Sequence, residues 1–305
     1  MKVTTLSTVL SKYSCVVVWG LREYSAATQR YVHSHMYTTM KKIGFPVLWC
    51  DNTSYNNELI PNGSLVLSTN HCCDKLEYDK SNWYVIFNTL DSIENCRNYL
   101  KLRVYGCMEA EKDCAAFDET TLFHKKNRIL YQAFGTDLLP EEFKSPIFNT
   151  NNCINWVGSI WNDANNHGNI STIKRFETVL QKHNIKFCSY SELSDEENIV
   201  KIRESRLAPA IGGEFQTISM MPCRVWKNIS YGHVCITNLQ KSRDVFGDGV
   251  LYNNNLEELV EAALAIEKKE YIERTFEQQK IVAQKHTYLN WFYNIARALD
   301  EMGDL

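Results

Sequence analysis

Short apolar runs alternate with longer stretches of helical spacing through the first half of the chain. Ser14–Trp19 (SCVVVW) is a continuous β-branched run that stops at Gly20. A helical stretch follows, from about Ala26 to Ile43, and Gly44 closes it. Pro46–Cys50 (PVLWC), Leu65–Ser68 (LVLS) and Tyr84–Phe87 (YVIF) are further runs of the first kind. Asp91–Leu100 has helical spacing, and Leu102–Tyr105 and Arg128–Tyr131 are weaker strand signals. Unbroken apolar strands joined through helices predict a parallel sheet with helices on both faces.

The pattern restarts after Pro140 and Pro146, across the polar segment SPIFNTNNC. Asn155–Ile160 (NWVGSI) reads as a strand running into a turn, then an Asn- and Gly-rich loop. Ser171–Asn184 reads as a helix with Ser171 as its N-cap, and Ile185–Tyr190 as a strand. Helices are expected at Glu196–Arg206, Cys223–Gly232 and Leu256–Lys268, with short strands at Val234–Thr237 and Val250–Tyr252. Tyr271–Met302 reads as a charged and aromatic helical tail in one or two pieces. The expected division is 1–148, 149–285 and a terminal helix, 286–305, packing back on the first domain. Open parallel sheets take ligands at the carboxyl ends of their strands, so two facing domains predict a cleft site.

A length of 305 residues suits two domains, and 44% hydrophobic with 23% charged residues excludes a disordered or low-complexity chain. The formal net charge of −3 argues against a nucleic-acid partner, which usually meets a basic stripe. The eleven cysteines form no CxxC pair and no Cys/His zinc spacing, and several sit in apolar runs, where a free thiol packs as a small hydrophobe. With no signal-peptide core at the start and no apolar run of membrane length, a cytoplasmic chain without a membrane span is expected.

Residues 203–238, RESRLAPAIGGEFQTISMMPCRVWKNISYGHVCITN, concentrate the chemistry. The Gly212-Gly213 pair lets a backbone approach a ligand closely. Arg224 and Lys227 start a helix and, three residues apart, share one face. A helix N-terminus with two cations suits a diphosphate. The bland alternative, solvated charges and a plain turn, has even weight on the residues alone.

This stretch resembles the donor-binding half of GT-B glycosyltransferases, specifically a group from bacteria and large DNA viruses, including algal viruses. Arg206, Pro209, Ala210, Ile211, Gly213, Gln216, Pro222, Arg224, Lys227, Ile229, Ser230, Tyr231, Gly232, Thr237 and Asn238 carry the resemblance. It extends over roughly 128–290, and only in outline over the first domain. It implies two Rossmann-like domains, the first for an acceptor and the second for a nucleotide-diphosphate sugar used as co-substrate. It places the backbone N–H groups of Gly158 and Ser159 toward the donor phosphates or the reacting centre, and Arg206 and Gln216 on the nucleotide or its sugar. Pro222, Cys223 and Val225 would flank the base, Arg224 and Lys227 would neutralise the diphosphate, and Asn228, Ser230 and Tyr231 would hold phosphate or ribose hydroxyls. No cofactor is expected, and without an Asp-x-Asp pair no metal either, since the cations stabilise the leaving diphosphate. The Glu-x7-Glu motif of many retaining GT-B enzymes is missing from 203–238, which favours inversion.

An inverting transferase needs a base for the acceptor hydroxyl, at a loop after a first-domain strand. Glu23 follows the first strand, Asp51 the second, and His71 and Asp74 the third, with Asp91 after the fourth. Each could equally be a cap or a surface charge. The reading is a hexosyl- or deoxyhexosyltransferase acting on a glycan or glycoprotein. A nucleotide-sugar epimerase and a non-catalytic binding module of the same fold are the alternatives.

Overall fold

The computed structural model describes residues 3–20, 28–50, 56–69, 72, 76–87, 102–106, 114–118, 120–162, 168–214 and 221–303. The chain forms two compact units, Met1–Asp137 with Tyr288–Leu305, and Leu138–Thr287.

The first unit opens on α1 (Val3–Leu10), followed by β1 (Val16–Trp19), α2 (Thr28–Lys42) and β2 (Val47–Cys50). Then come β3 (Leu65–Thr69), β4 (Trp83–Phe87), β5 (Leu102–Tyr105), β6 (Ala115–Asp118), β7 (Thr121–His124) and β8 (Ile129–Gln132). They make one eight-stranded sheet in the order β2-β1-β3-β4-β5-β8-β7-β6. The first six in that order are parallel; β7 and β6 pair antiparallel at the edge. β1 and β3 are buried along their whole length, as two-sided covering requires of unbroken apolar runs. β2 is an edge strand and leaves Leu48 exposed. The β6–β7 pair was outside the sequence expectation, because AAFDETTLFH is short and half polar. Gly20 ends β1 as a glycine because a Cβ there would run into the buried His33 ring, which packs edge-on to Phe87 at 5.2 Å. His33 is thus a core residue.

The charged tail breaks at His286–Thr287 into α8 (Lys268–Lys285) and α9 (Tyr288–Met302). α9 belongs to the first unit and buries Trp291, Phe292, Ile295, Ala296 and Leu299 there. Trp291 meets Phe87 and Phe134 at ring-centroid distances of 6.0 and 5.9 Å. Asn294 donates to the Thr121 hydroxyl at 3.3 Å.

The second unit contains β9 (Cys153–Val157), α3 (Ile170–Lys182), β10 (Lys186–Tyr190), α4 (Asp195–Glu204) and β11 (Pro209–Ala210). It continues through α5 (Cys223–Ser230), β12 (Ile236–Thr237), α6 (Lys241–Phe246), β13 (Leu251–Tyr252), α7 (Leu256–Ala265) and α8. β9 pairs with β10, and β11, β12 and β13 pair in that order, all parallel. Ile154, Trp156, Ile173, Phe176, Ile236, Leu259 and Tyr271 form its main core. The N-cap position of α3 is Asn169, not Ser171. The Asn169 side chain accepts from Trp161 N–H at 3.0 Å and donates to Ser159 C=O at 3.3 Å, so it ties the preceding loop rather than the helix.

Residues 138–148 belong to this second unit, so the division falls before the polar linker rather than within it. Backbone bonds explain this. Lys144 N–H donates to Ser230 C=O at 2.8 Å, and Ile147 N–H to Gly232 C=O at 3.0 Å. Gln279 on α8 donates to both Lys144 C=O and Ile229 C=O, at 2.8 and 2.9 Å. Among the described residues no helix is long and apolar enough to cross a membrane.

Candidate functional site

The carboxyl end of β9 and the start of α5 bring together Trp156, Gly158, Arg224 and Lys227. β9 delivers Trp156 into the core, where only 1% of it is exposed. The strand then turns at Gly158 with φ +125°, in the region that favours glycine. Trp156 Nε1 donates to Gly158 C=O at 3.1 Å and closes that turn. The Arg224 guanidinium lies over the Trp156 ring, 3.6 Å from its centroid. That is cation–π contact on the best of the aromatic faces. It also makes long contacts with Val157 C=O, at 3.3 and 3.4 Å. A Cβ on Gly158 would stand 2.5 Å from Arg224 Nη2. The backbone angle favours glycine here, and a Cβ would also push the guanidinium aside.

Arg224 is held by a ring and a carbonyl, and among the described residues no carboxylate forms an ion pair with it. Burial lowers its pKa to about 10, which leaves it cationic at neutral pH. Lys227 sits one turn on, its Nζ 5.8 Å from the centroid of the Tyr231 ring. Pro222 precedes α5 as its N-cap; among the described residues no side chain caps the helix, and no acidic residue stands in its first turn. The positive end of the helix therefore adds to the two cations.

α5 sorts the remaining residues of the motif by face. Pro222, Cys223, Arg224 and Lys227 are partly exposed, whereas Val225, Asn228, Ile229, Ser230 and Tyr231 are buried. The buried set has structural partners. Asn228 Nδ2 donates to Ala208 C=O at 2.8 Å and fastens α5 to the chain entering β11. The Ser230 hydroxyl donates to Lys227 C=O at 2.9 Å. Tyr231 packs with Leu138, Ile202 and Ala208. Val225 and Ile229 are core residues at 1% and 0% exposure. These five were among the expected donor residues, and the structure buries them against the rest of the second unit, as the packed side of an amphipathic helix.

Three further expectations change. The Gly158 N–H is taken by Tyr190 C=O at 3.0 Å, inside the β9–β10 pairing, so it is not directed at a ligand. Ser159 is exposed. Gly213 is buried, and its missing Cβ makes room for the Gly168 carbonyl, so the close approach is backbone on backbone. Its neighbour Gly212 is gripped by Asn238, which accepts from Gly212 N–H at 2.8 Å and donates to Gly212 C=O at 3.0 Å. Arg206 lies at the opposite end of β9. Its N–H donates to Cys153 C=O at 2.8 Å and its guanidinium to Asn152 Oδ1 at 3.2 Å. A five-residue strand puts roughly 15 Å between that end and Gly158. Glu23, Asp51, Asp74 and Gln216, with His71 and Asp91, lie outside the described residues.

Sequence reasoning missed Trp156 as a partner of Arg224. The only signal was a tryptophan two residues before a glycine at a strand end, a pattern that core packing alone also produces.

No family model matches the sequence, and no curated protein matches it. Solved structures do. An α-glucosyltransferase in complex with UDP and a 13-mer DNA containing a central A:G mismatch is similar at TM-score 0.63 and 9% identity, over 95% of this chain and 99% of that one. The Candida albicans trehalose-6-phosphate phosphatase N-terminal domain is similar at TM-score 0.55 and 10% identity, over 95% and 97%. The DNA-modifying enzyme β-glucosyltransferase, solved in the presence and absence of uridine diphosphoglucose, is similar at TM-score 0.52 and 12% identity, over 95% and 100%. At such identities the likeness is one of fold: the chain has the α/β GT-B fold that these glucosyltransferases share.

Proposed function

We propose that the chain is a glycosyltransferase that takes its sugar from a nucleoside-diphosphate donor bound by the second unit. The observation that carries this is Arg224, a cation without a carboxylate partner among the described residues, stacked on Trp156 beside Gly158 at the end of a strand. Lys227 and the start of α5 lie beside it. A diphosphate leaving group gains charge in the transition state, and fixed cations placed there stabilise it. In this reading they do so without a metal, and the transfer inverts the anomeric centre. Two of the similar structures are described with UDP or uridine diphosphoglucose, which makes UDP the first ligand to try.

The acceptor has two readings. The sequence resemblance implies a glycan or glycoprotein. The names of two similar structures point to DNA, so a net charge of −3 is no ground for setting nucleic acid aside. Transfer of label from UDP-glucose to a glycan mixture or to duplex DNA separates them.

The test of the donor claim is a thermal-shift screen of nucleotides and nucleotide sugars. One nucleoside diphosphate should raise the midpoint, and Arg224→Ala with Lys227→Ala should abolish that rise while leaving the ligand-free midpoint close to its starting value. If no nucleotide stabilises the protein, the proposal is wrong. Activity that survives a chelator supports metal independence; its loss, restored by a divalent ion, refutes it.

A further inference from the structure

The loop that follows Gly158 presents an aromatic ring to solvent. Trp161 is 40% exposed, whereas Trp19, Trp156, Trp226 and Trp291 are fully buried and Trp49 and Trp83 partly so. Its backbone is pinned on several sides. Trp161 N–H donates to Asn169 Oδ1 at 3.0 Å, and Trp161 C=O accepts from the N–H groups of Asn169 and Ile170 at 2.9 and 3.3 Å. The Asn162 side chain accepts from Gly168 N–H at 3.1 Å. Two glycines make this packing possible. A Cβ on Gly168 would overlap the Trp161 carbonyl, and a Cβ on Gly213 would overlap the Gly168 carbonyl. Three backbone segments are thus stacked without side chains between them, and the exposed indole is mounted on that stack.

Exposing a large ring forfeits the burial that usually accounts for a tryptophan. Its position supplies a reason. Three residues of chain span at most about 10 Å, so Trp161 stands within that distance of Gly158, whose Cα borders the Arg224 guanidinium. A ligand with its phosphates at Arg224 carries rings to either side of them within the same range. We propose that Trp161 is a stacking platform for a ring of the nucleoside-diphosphate sugar, its base or its sugar, and so a positioning residue for the donor. This rests on the donor reading above.

The test uses the intrinsic fluorescence of the whole chain, in which Trp161 is the exposed emitter. Inorganic pyrophosphate, UDP and UDP-glucose are titrated against the unsubstituted protein, Trp161→Phe, Trp161→Ala and Arg224→Ala. UDP or UDP-glucose should quench the red-edge emission, pyrophosphate should not, and Trp161→Phe should remove the quench. Trp161→Ala should weaken the ring-bearing ligands by about tenfold, the scale of losing one aromatic stack, and leave pyrophosphate unchanged. Trp161→Phe should restore most of that affinity. Quenching by UDP equal to that by UDP-glucose identifies the base as the stacked ring; quenching by UDP-glucose alone identifies the sugar. If the ligands bind in an Arg224-dependent manner but Trp161→Ala binds them unchanged, the platform is overturned and the donor reading stands. If nothing binds the unsubstituted protein, the donor reading falls and the platform with it.

Discussion

The two faces of α5 offer the sharpest contrast in the molecule. On one face Val225, Asn228 and Ile229 are buried, and Ser230 and Tyr231 finish the helix in contact with the 138–148 segment and α4. On the other, Arg224 and Lys227 are partly open and carry charge. The residues alternate along eight positions, so a reading that runs straight along the chain assigns them one purpose. The helical period gives them two, and the first serves the second: a guanidinium keeps its place over Trp156 only if the helix under it is fixed. Changes on the packed face should therefore act on folding, and changes on the open face on ligand binding alone.

The largest effect is expected just past the packed face, at Gly232. It has φ +102°, and a Cβ there would lie 2.5 Å from Ser145 C=O and 2.8 Å from Arg203 Nη1. Gly232→Ala combines left-handed strain with overpacking against backbone and should destabilise by about 4 kcal/mol. Urea denaturation monitored by far-UV circular dichroism reads this. A loss below about 1 kcal/mol, the ordinary scale of a point substitution, would show that the 138–148 segment is not held as described.

Next in size is a pH dependence from the same side. His233 is fully buried, with Nδ1 2.7 Å from the Tyr271 hydroxyl, and burial first, then the nearby Arg203, lowers its pKa to about 4. The unfolded chain binds this proton near pH 6.5 and the folded one only near pH 4. Stability contributed by the neutral ring is therefore full above pH 6.5 and is lost as the pH falls toward 4. Linkage puts the loss at about 3 kcal/mol. His233→Asn should flatten that part of the stability profile while lowering the plateau. An unchanged slope would assign the acid sensitivity elsewhere.

Crossing to the open face, Arg224→Ala should leave the urea midpoint near its starting value and remove the nucleotide-dependent shift. At 100 times Kd a ligand adds about 2.7 kcal/mol of apparent stability, and that is the amount at stake. The proton sign follows from the cation. Burial lowers the Arg224 pKa but leaves the group cationic, so affinity should hold steady through neutral pH. Arg224→Lys keeps charge without the planar stack on Trp156 and should restore only part of the affinity.

How far the sequence reveals this depends on what kind of signal each residue leaves. Unbroken runs such as VVVW and LVLS announce buried parallel strands, because a strand covered on both faces has no polar side to show. The six-residue α6 and the β6–β7 pair leave no such trace, being too short for a period to register. The shared open face of Arg224 and Lys227, just after Pro222, follows from their spacing. The place of Arg206 beside Cys153 and Asn152 left no trace, because an arginine near a family motif looks alike whether it stands at the carboxyl or the amino end of a strand. Gly213 was read as room for a ligand, and the family resemblance turned the Gly158 N–H toward one. A glycine records only that something lies close: for Gly213 it is the Gly168 carbonyl, and for Gly158 the Arg224 guanidinium.

That last difference supports the smallest prediction, which joins the two faces. Gly158→Ala adds one methyl, at a position with φ +125° and 2.5 Å from Arg224 Nη2. The guanidinium is the end of a flexible side chain and can yield, so the clash itself costs little. The backbone angle adds roughly 1–3 kcal/mol of strain. What the displaced guanidinium loses is its seat over Trp156, and with it the preorganisation that lets a cation meet phosphate without reorganising. Nucleotide affinity should fall by about tenfold, roughly 1.4 kcal/mol, with a loss of stability of similar size. Gly158→Ala in an Arg224→Ala background should add the strain but no further loss of affinity, since the group it displaces is gone. Additive losses of affinity in that double variant would mean that Gly158 contacts the ligand itself, the role the family resemblance implies for it.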